Sequence, residues 1–166
     1  SGYLIEELLK HYEISMQSVM LRRSVLIKNN FSFAVHLKYS PDYDLFMRIA
    51  SLHKIGVIHD FIVKYRIVKH SLSHQSLHLV FKENKFTLDN LFKDTLKLKE
   101  QYAKALRQAY LKLHYYESVQ YISKGNYKQA RVELIKTEWS KWEYIALYFM
   151  LWMQLPSSWL LKILHR

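Results

Sequence analysis

Apolar and polar positions follow two patterns along the chain, and the pattern changes near residue 75. Before that point the apolar runs are short and mixed. Ile14 to Leu21 and Ile55 to Arg66 contain β-branched and alternating stretches, which predicts strands. Between them, Leu45, Ile49 and Leu52 recur at helical spacing, which predicts a helix from Asp42 to His53. Ser40 is placed to cap it and Pro41 suits its first position, where a missing N–H costs nothing. Asp42 and Asp44 fall in the first turn, and Gly56 breaks the helix before Val57 and Ile58.

After residue 75 almost everything has helical period. Phe92, Leu96, Leu98, Tyr102, Leu106, Tyr110 and Leu113 form one long amphipathic pattern. Gly125-Asn126 is a turn signal, and it predicts a hairpin of helices over Tyr116 to Lys124 and Tyr127 to Glu138. Tyr121, Gly125, Tyr127, Ala130, Arg131 and Leu134 resemble one tetratricopeptide-type helix pair. A single pair lacks the stacked neighbours of a repeat array, so it reads as a helical cap. Tyr144 to Met153 is an unbroken apolar run, much shorter than the roughly 20 residues that cross a bilayer. Leu155-Pro156-Ser157-Ser158 interrupts it, and Ser158 can cap a short last helix.

Composition narrows the chemistry. The 166 residues are 50% apolar and 15% aromatic, enough for a packed core and too apolar for disorder. Three glycines and two prolines favour a helix-rich chain. No cysteine occurs, which excludes disulfides, thiolate metal sites and thiol nucleophiles. The net charge of +11 suits an anionic partner: a membrane surface, a nucleotide diphosphate or a nucleic acid. A solubilising surface would explain it equally well. The start, Ser1-Gly2-Tyr3-Leu4, has neither a signal-peptide pattern nor an initiator Met, so the chain is expected to begin inside a longer protein. The cytoplasm is the default compartment, with peripheral attachment at the inner face of the plasma membrane as a further expectation.

The most specific stretch is Phe33-Ala34-Val35-His36-Leu37-Lys38-Tyr39-Ser40-Pro41-Asp42-Tyr43-Asp44-Leu45-Phe46-Met47-Arg48. It resembles the segment of family-two inverting nucleotide-sugar glycosyltransferases in which a Phe-Asp-Glu turn leads to Glu-Asp-Tyr-Asp-Leu, two apolar residues and Arg. Upstream, Ser18-Val19-Met20-Leu21-Arg22-Arg23 is similar to the family's strand ending in Arg-Arg. Downstream, Lys54-Ile55-Gly56-Val57-Ile58, then Tyr65-Arg66, then Ser71 and Ser73, resemble the strand, the Tyr-Arg pair and the serine-bearing loop that close the catalytic domain. The resemblance covers about residues 10 to 75.

The resemblance implies a fold and a set of roles. The fold is an α/β fragment, the C-terminal half of a GT-A-like domain (1–75), followed by an all-α helical bundle (76–166), mostly helical overall. Asp42 would be the general base that takes the proton of the acceptor hydroxyl. Asp44 and Arg48, four apart, would pair and stiffen the first helical turn, with Tyr65 and Arg66 in support. Arg22, Arg23, His70, Ser71 and Ser73 would meet the diphosphate or its loop. The donor is a nucleotide sugar and the acceptor a glycan or a lipid-linked sugar, as in polysaccharide biosynthesis. Mg²⁺ or Mn²⁺ is expected in the complete enzyme, but no metal is expected on this chain alone. The metal motif and the nucleotide-binding strands would lie upstream, so the isolated chain is expected to be inactive.

The sequence also departs from the family. Ala34 and Val35 replace its usual acidic pair, Pro41 replaces the Glu before the base, and Val68 stands where a His often follows Tyr-Arg. A divergent active enzyme, a degenerate one and a lineage with altered acceptor chemistry all remain open. Ser-Pro-Asp-Tyr-Asp is also an ordinary helix start. Asp42-Tyr43-Asp44 matches the Asp-x-Asp metal pattern, but that pattern follows an apolar strand and this one opens a helix.

Four other readings compete. His70, His74 and His78 recur every four residues, yet no acidic third ligand lies near them. Arg22, Arg23, Lys54, Lys64, Arg66 and Lys69 could face nucleic acid, but the aromatics fall at core spacing, which disfavours it. Trp139, Trp142, Trp152 and Trp159 cluster at the C-terminal end, where they suit either an anionic membrane interface or two core helices. The leading alternative of another class is a non-catalytic helical interaction or scaffold module.

Overall fold

A computed structural model describes residues 1–64, 66, 76–137 and 142–156. Among them are eight α-helices: α1 Ile5–Lys10, α2 Arg23–Lys28, α3 Pro41–Leu52, α4 Val80–Leu91, α5 Leu96–Gln101, α6 Ala103–Ser123, α7 Tyr127–Ile135 and α8 Trp142–Trp152. Two 3-10 turns, Met16–Ser18 and Leu77–Leu79, complete the regular structure of the described residues. The chain divides into two compact units, Ser1–Gln108 and Ala109–Arg166.

The expected α/β fragment is not found. The described residues contain no strand, and their β pairing is one isolated antiparallel bridge between Gly2 and Ile55. That bridge carries two hydrogen bonds, Gly2 N–H to the Ile55 carbonyl at 2.9 Å and Ile55 N–H to the Gly2 carbonyl at 2.8 Å. A strand needs a ladder of such pairs. Val57, Ile58, Phe61, Ile62 and Val63 continue past the bridge with their side chains exposed, so the run buries no face. Over Ile14–Leu21 the apolar residues Ile14, Val19 and Leu21 do turn inward, but onto a helix, and a 3-10 turn interrupts the run. Alternating hydrophobicity records which side chains point inward. An extended segment lying on a helix satisfies it without a sheet.

In the first unit, α3 is the central element. Leu45, Phe46, Met47, Ile49 and Ala50 are buried along it. Leu45, Phe46 and Ile49 pack against Tyr12, Ile14, Val19, Leu21, Val25, Leu26 and Phe31, and α3 also packs on α1 and α4. Each large apolar side chain removed from water contributes about 1.5–3 kcal/mol, so this stripe fixes where the first turn of α3 sits. α4 presents Val80, Glu83, Thr87, Leu88 and Leu91 as its buried residues, an inward stripe that includes two polar side chains.

In the second unit, the C-terminal part of α6 reverses into α7. Gly125 has a φ of 71°, its N–H bonds the Ile122 carbonyl at 2.9 Å, and Asn126 N–H bonds the Tyr121 carbonyl at 2.9 Å. This crossed pair satisfies carbonyls that the helix end leaves free and needs a left-handed residue, which glycine provides. Asn126 then caps α7, its side chain accepting from Gln129 N–H at 3.2 Å. Ile122, Ala130, Leu134, Leu147 and Leu151 form the core among α6, α7 and α8, with Tyr115 stacked on Tyr144 at 4.8 Å. Arg131 donates to the Leu151 carbonyl at 3.0 Å, at the C-terminal end of α8, where a cation is favoured.

Candidate functional site

The start of α3 is held from outside its own sequence. Glu83 of α4 is buried, and its carboxylate accepts from three successive peptide N–H groups: Lys38 at 2.9 Å, Tyr39 at 2.8 Å and Ser40 at 2.9 Å. The Ser40 hydroxyl also donates to it, at 3.3 Å. Ser40 therefore stands at the N-cap position without a capping side-chain bond, because its hydroxyl is turned to Glu83. Burial alone would raise the pKa of Glu83. The bonds from Lys38, Ser40 and Tyr39 and from the Ser40 hydroxyl together outweigh it and hold the carboxyl below its ordinary value.

Asp44 and Asp42 differ sharply in surroundings. The Asp44 carboxylate is 7% exposed and takes Arg48 Nε at 2.9 Å and an Arg48 terminal nitrogen at 2.7 Å. Thr87, one turn beyond Glu83 on α4, donates to its other oxygen at 3.2 Å. Arg48 donates in addition to the Ser32 carbonyl at 2.7 Å and lies over the Phe31 ring at 5.4 Å. One guanidinium thus ties the helix to the Phe31–Phe33 turn that precedes it. Asp42 is half-buried and, among the described residues, accepts only the N–H of Tyr43, at 2.9 Å, with no cation paired to it.

Two tyrosines line this turn. Tyr12 and Tyr43 meet edge to face at 4.7 Å. The Tyr12 hydroxyl is buried and, among the described residues, has no hydrogen-bond partner. Its pKa is pushed up by burial, then by the negative charge of Asp42 and by Tyr43, so the Asp42 carboxylate and this hydroxyl act on each other. Burial raises the pKa of Tyr43 as well.

The remaining sequence candidates are scattered. Arg22 immediately precedes α2 and Arg23 is its first residue, and both are exposed, as is Arg66. Tyr65, His70, Ser71 and Ser73 lie outside the described residues, as does His74. Asp42 and Asp44 share the first turn of α3, and Arg48, one turn on, pairs with Asp44. Tyr12, Glu83 and Thr87 join them without having been singled out from the sequence. For Glu83 and Thr87 a signal existed: a polar pair four apart on the apolar stripe of a helix must find buried partners.

The residues at this turn do not fit a divalent metal. Asp44 gives one oxygen to Arg48 and the other to Thr87, leaving Asp42 alone, and no group of three metal-ligating side chains occurs among the described residues. Comparison with protein-family models, curated proteins and solved structures finds no match to the chain.

Proposed function

We propose that the chain supplies the acceptor side of an inverting glycosyltransferase, moving a sugar from a nucleotide sugar to a glycan or lipid-linked acceptor, with Asp42 as general base. The observation that carries this reading is the division of labour between the two carboxylates. Asp44 is buried and neutralised by Arg48, which makes the turn rigid. Asp42, in the same turn, is open to solvent in part and, among the described residues, pairs with no cation. A base needs an accessible, uncommitted oxygen on a fixed support, and the bonds of Asp44, Arg48, Glu83 and Thr87 supply that support.

The step is a single displacement. An Asp42 oxygen accepts the acceptor O–H proton while the acceptor oxygen bonds to the anomeric carbon. The bond from that carbon to the diphosphate oxygen breaks, and its electron pair leaves with the nucleoside diphosphate. Anomeric configuration inverts. The test is to assay the full natural polypeptide that contains these residues with nucleotide sugars and glycan or lipid-linked acceptors, and to read the product anomer by NMR. Transfer with inversion is expected. Retention of configuration, or no transfer to any acceptor while the nucleotide sugar binds, would overturn the reading.

A further inference from the structure

α8 is apolar on two opposite faces, and among the described residues only one of them is covered. Leu147 and Leu151 are fully buried in the core with α6 and α7. On the other side Trp142 is 72% exposed, Phe149 57%, Trp152 69% and Met153 59%. At helical spacing these four lie within roughly a third of the circumference, a continuous outward stripe. The helix has 11 residues, and no helix among the described residues is long and apolar enough to cross a membrane. An apolar stripe with a tryptophan near each end has the composition that settles at headgroup depth, where the ring is apolar and the indole N–H stays wet.

Charge selects the occupant. The whole chain carries +11, and the unit that contains α8 has eight Lys and Arg against four Asp and Glu. Two copies of a chain with this net charge repel one another, which opposes self-association. An anionic bilayer reverses that sign and adds attraction to the burial of the aromatic stripe. We infer that the outward face of α8 is a membrane-interface surface, lying flat in the headgroup region of an anionic bilayer. The inference is independent of the sugar-transfer reading.

The test is co-sedimentation of the full 166-residue chain with vesicles of phosphatidylglycerol and phosphatidylcholine in equal parts, and with phosphatidylcholine alone. Binding to the anionic vesicles is expected at low salt, weakened by added salt and by omitting phosphatidylglycerol. The combined variant Trp142→Ser, Phe149→Ser, Trp152→Ser is expected to lower that affinity by about tenfold or more. These side chains are exposed, so far-ultraviolet circular dichroism should stay unchanged. A readout that needs no variant is quenching of the native tryptophan emission by brominated acyl chains, expected on the anionic vesicles. No binding, no quenching, equal binding by a folded variant, or self-association of the native chain that the variant abolishes would each overturn the inference.

Discussion

Asp42 and Asp44 share one helical turn, and their surroundings give them opposite work. Removing the Asp44 carboxylate leaves Arg48 partly buried without its counter-charge and Thr87 without its acceptor. Asp44→Ala is therefore expected to destabilise the chain by about 3 kcal/mol. Asp42→Asn, which disturbs no ion pair among the described residues, is expected to change stability by less than about 0.5 kcal/mol. Chemical denaturation of the two variants checks the contrast, and equal losses would mean that both carboxylates are structural. The local part of this site was legible in the sequence. Ser40, Pro41 and the two aspartates announce a helix start, and four-residue spacing announces the Asp44–Arg48 pair. Tyr12 was not legible, and Glu83 only as a polar residue that must find buried partners, because the relation of both to this turn comes from tertiary packing. Glu83 acts on Ser40 from 43 residues away.

At the level of elements, α3 is rigid because α4 satisfies its entry loop. Glu83→Ala would strip the acceptor from three peptide N–H groups. A loss of about 3 kcal/mol is expected, measurable by denaturant unfolding. The same group gives a pH dependence. Its folded pKa lies below the ordinary carboxylate value of 4.5, so the stability it confers is complete above about that pH and is lost as the pH falls through the lower folded value. Glu133 adds the same sign: burial raises its pKa, but bonds with Lys136 and His114 outweigh burial and lower it. Glu83→Gln should therefore flatten the acid slope of stability below about pH 4.5. An unchanged slope would remove Glu83 from the account. The helical hairpin was readable from Gly125-Asn126. At Gly125 the φ of 71° and the absence of any atom within 4 Å of an added Cβ make the cost of Gly125→Ala purely conformational. About 1 kcal/mol is expected, read as a lowered thermal midpoint. The strands were misread for a physical reason. Ile14 to Leu21 and Ile55 to Arg66 carry β-branched and alternating residues, but a sheet depends on a partner that a one-dimensional pattern cannot display.

For the molecule as a whole, each unit joins a closed core to an element that faces outward. In the first unit that element is the Asp42 turn, and in the second it is the aromatic stripe of α8. The charge of +11 was visible from composition, but not which surface would use it. Both tryptophans of the stripe belong to a C-terminal cluster whose apolar character alone suited core and interface equally. Burial of Leu147 and Leu151 separates the two faces. The role proposed for Asp42, held on a braced turn, is to take the acceptor proton. It is tested most directly by the turnover of Asp42→Asn in the full natural polypeptide. A fall in kcat of about 10²–10⁴-fold is expected, with donor affinity kept, because only the base is lost. Near-normal turnover would contradict it and leave Asp42 as a helix-start residue.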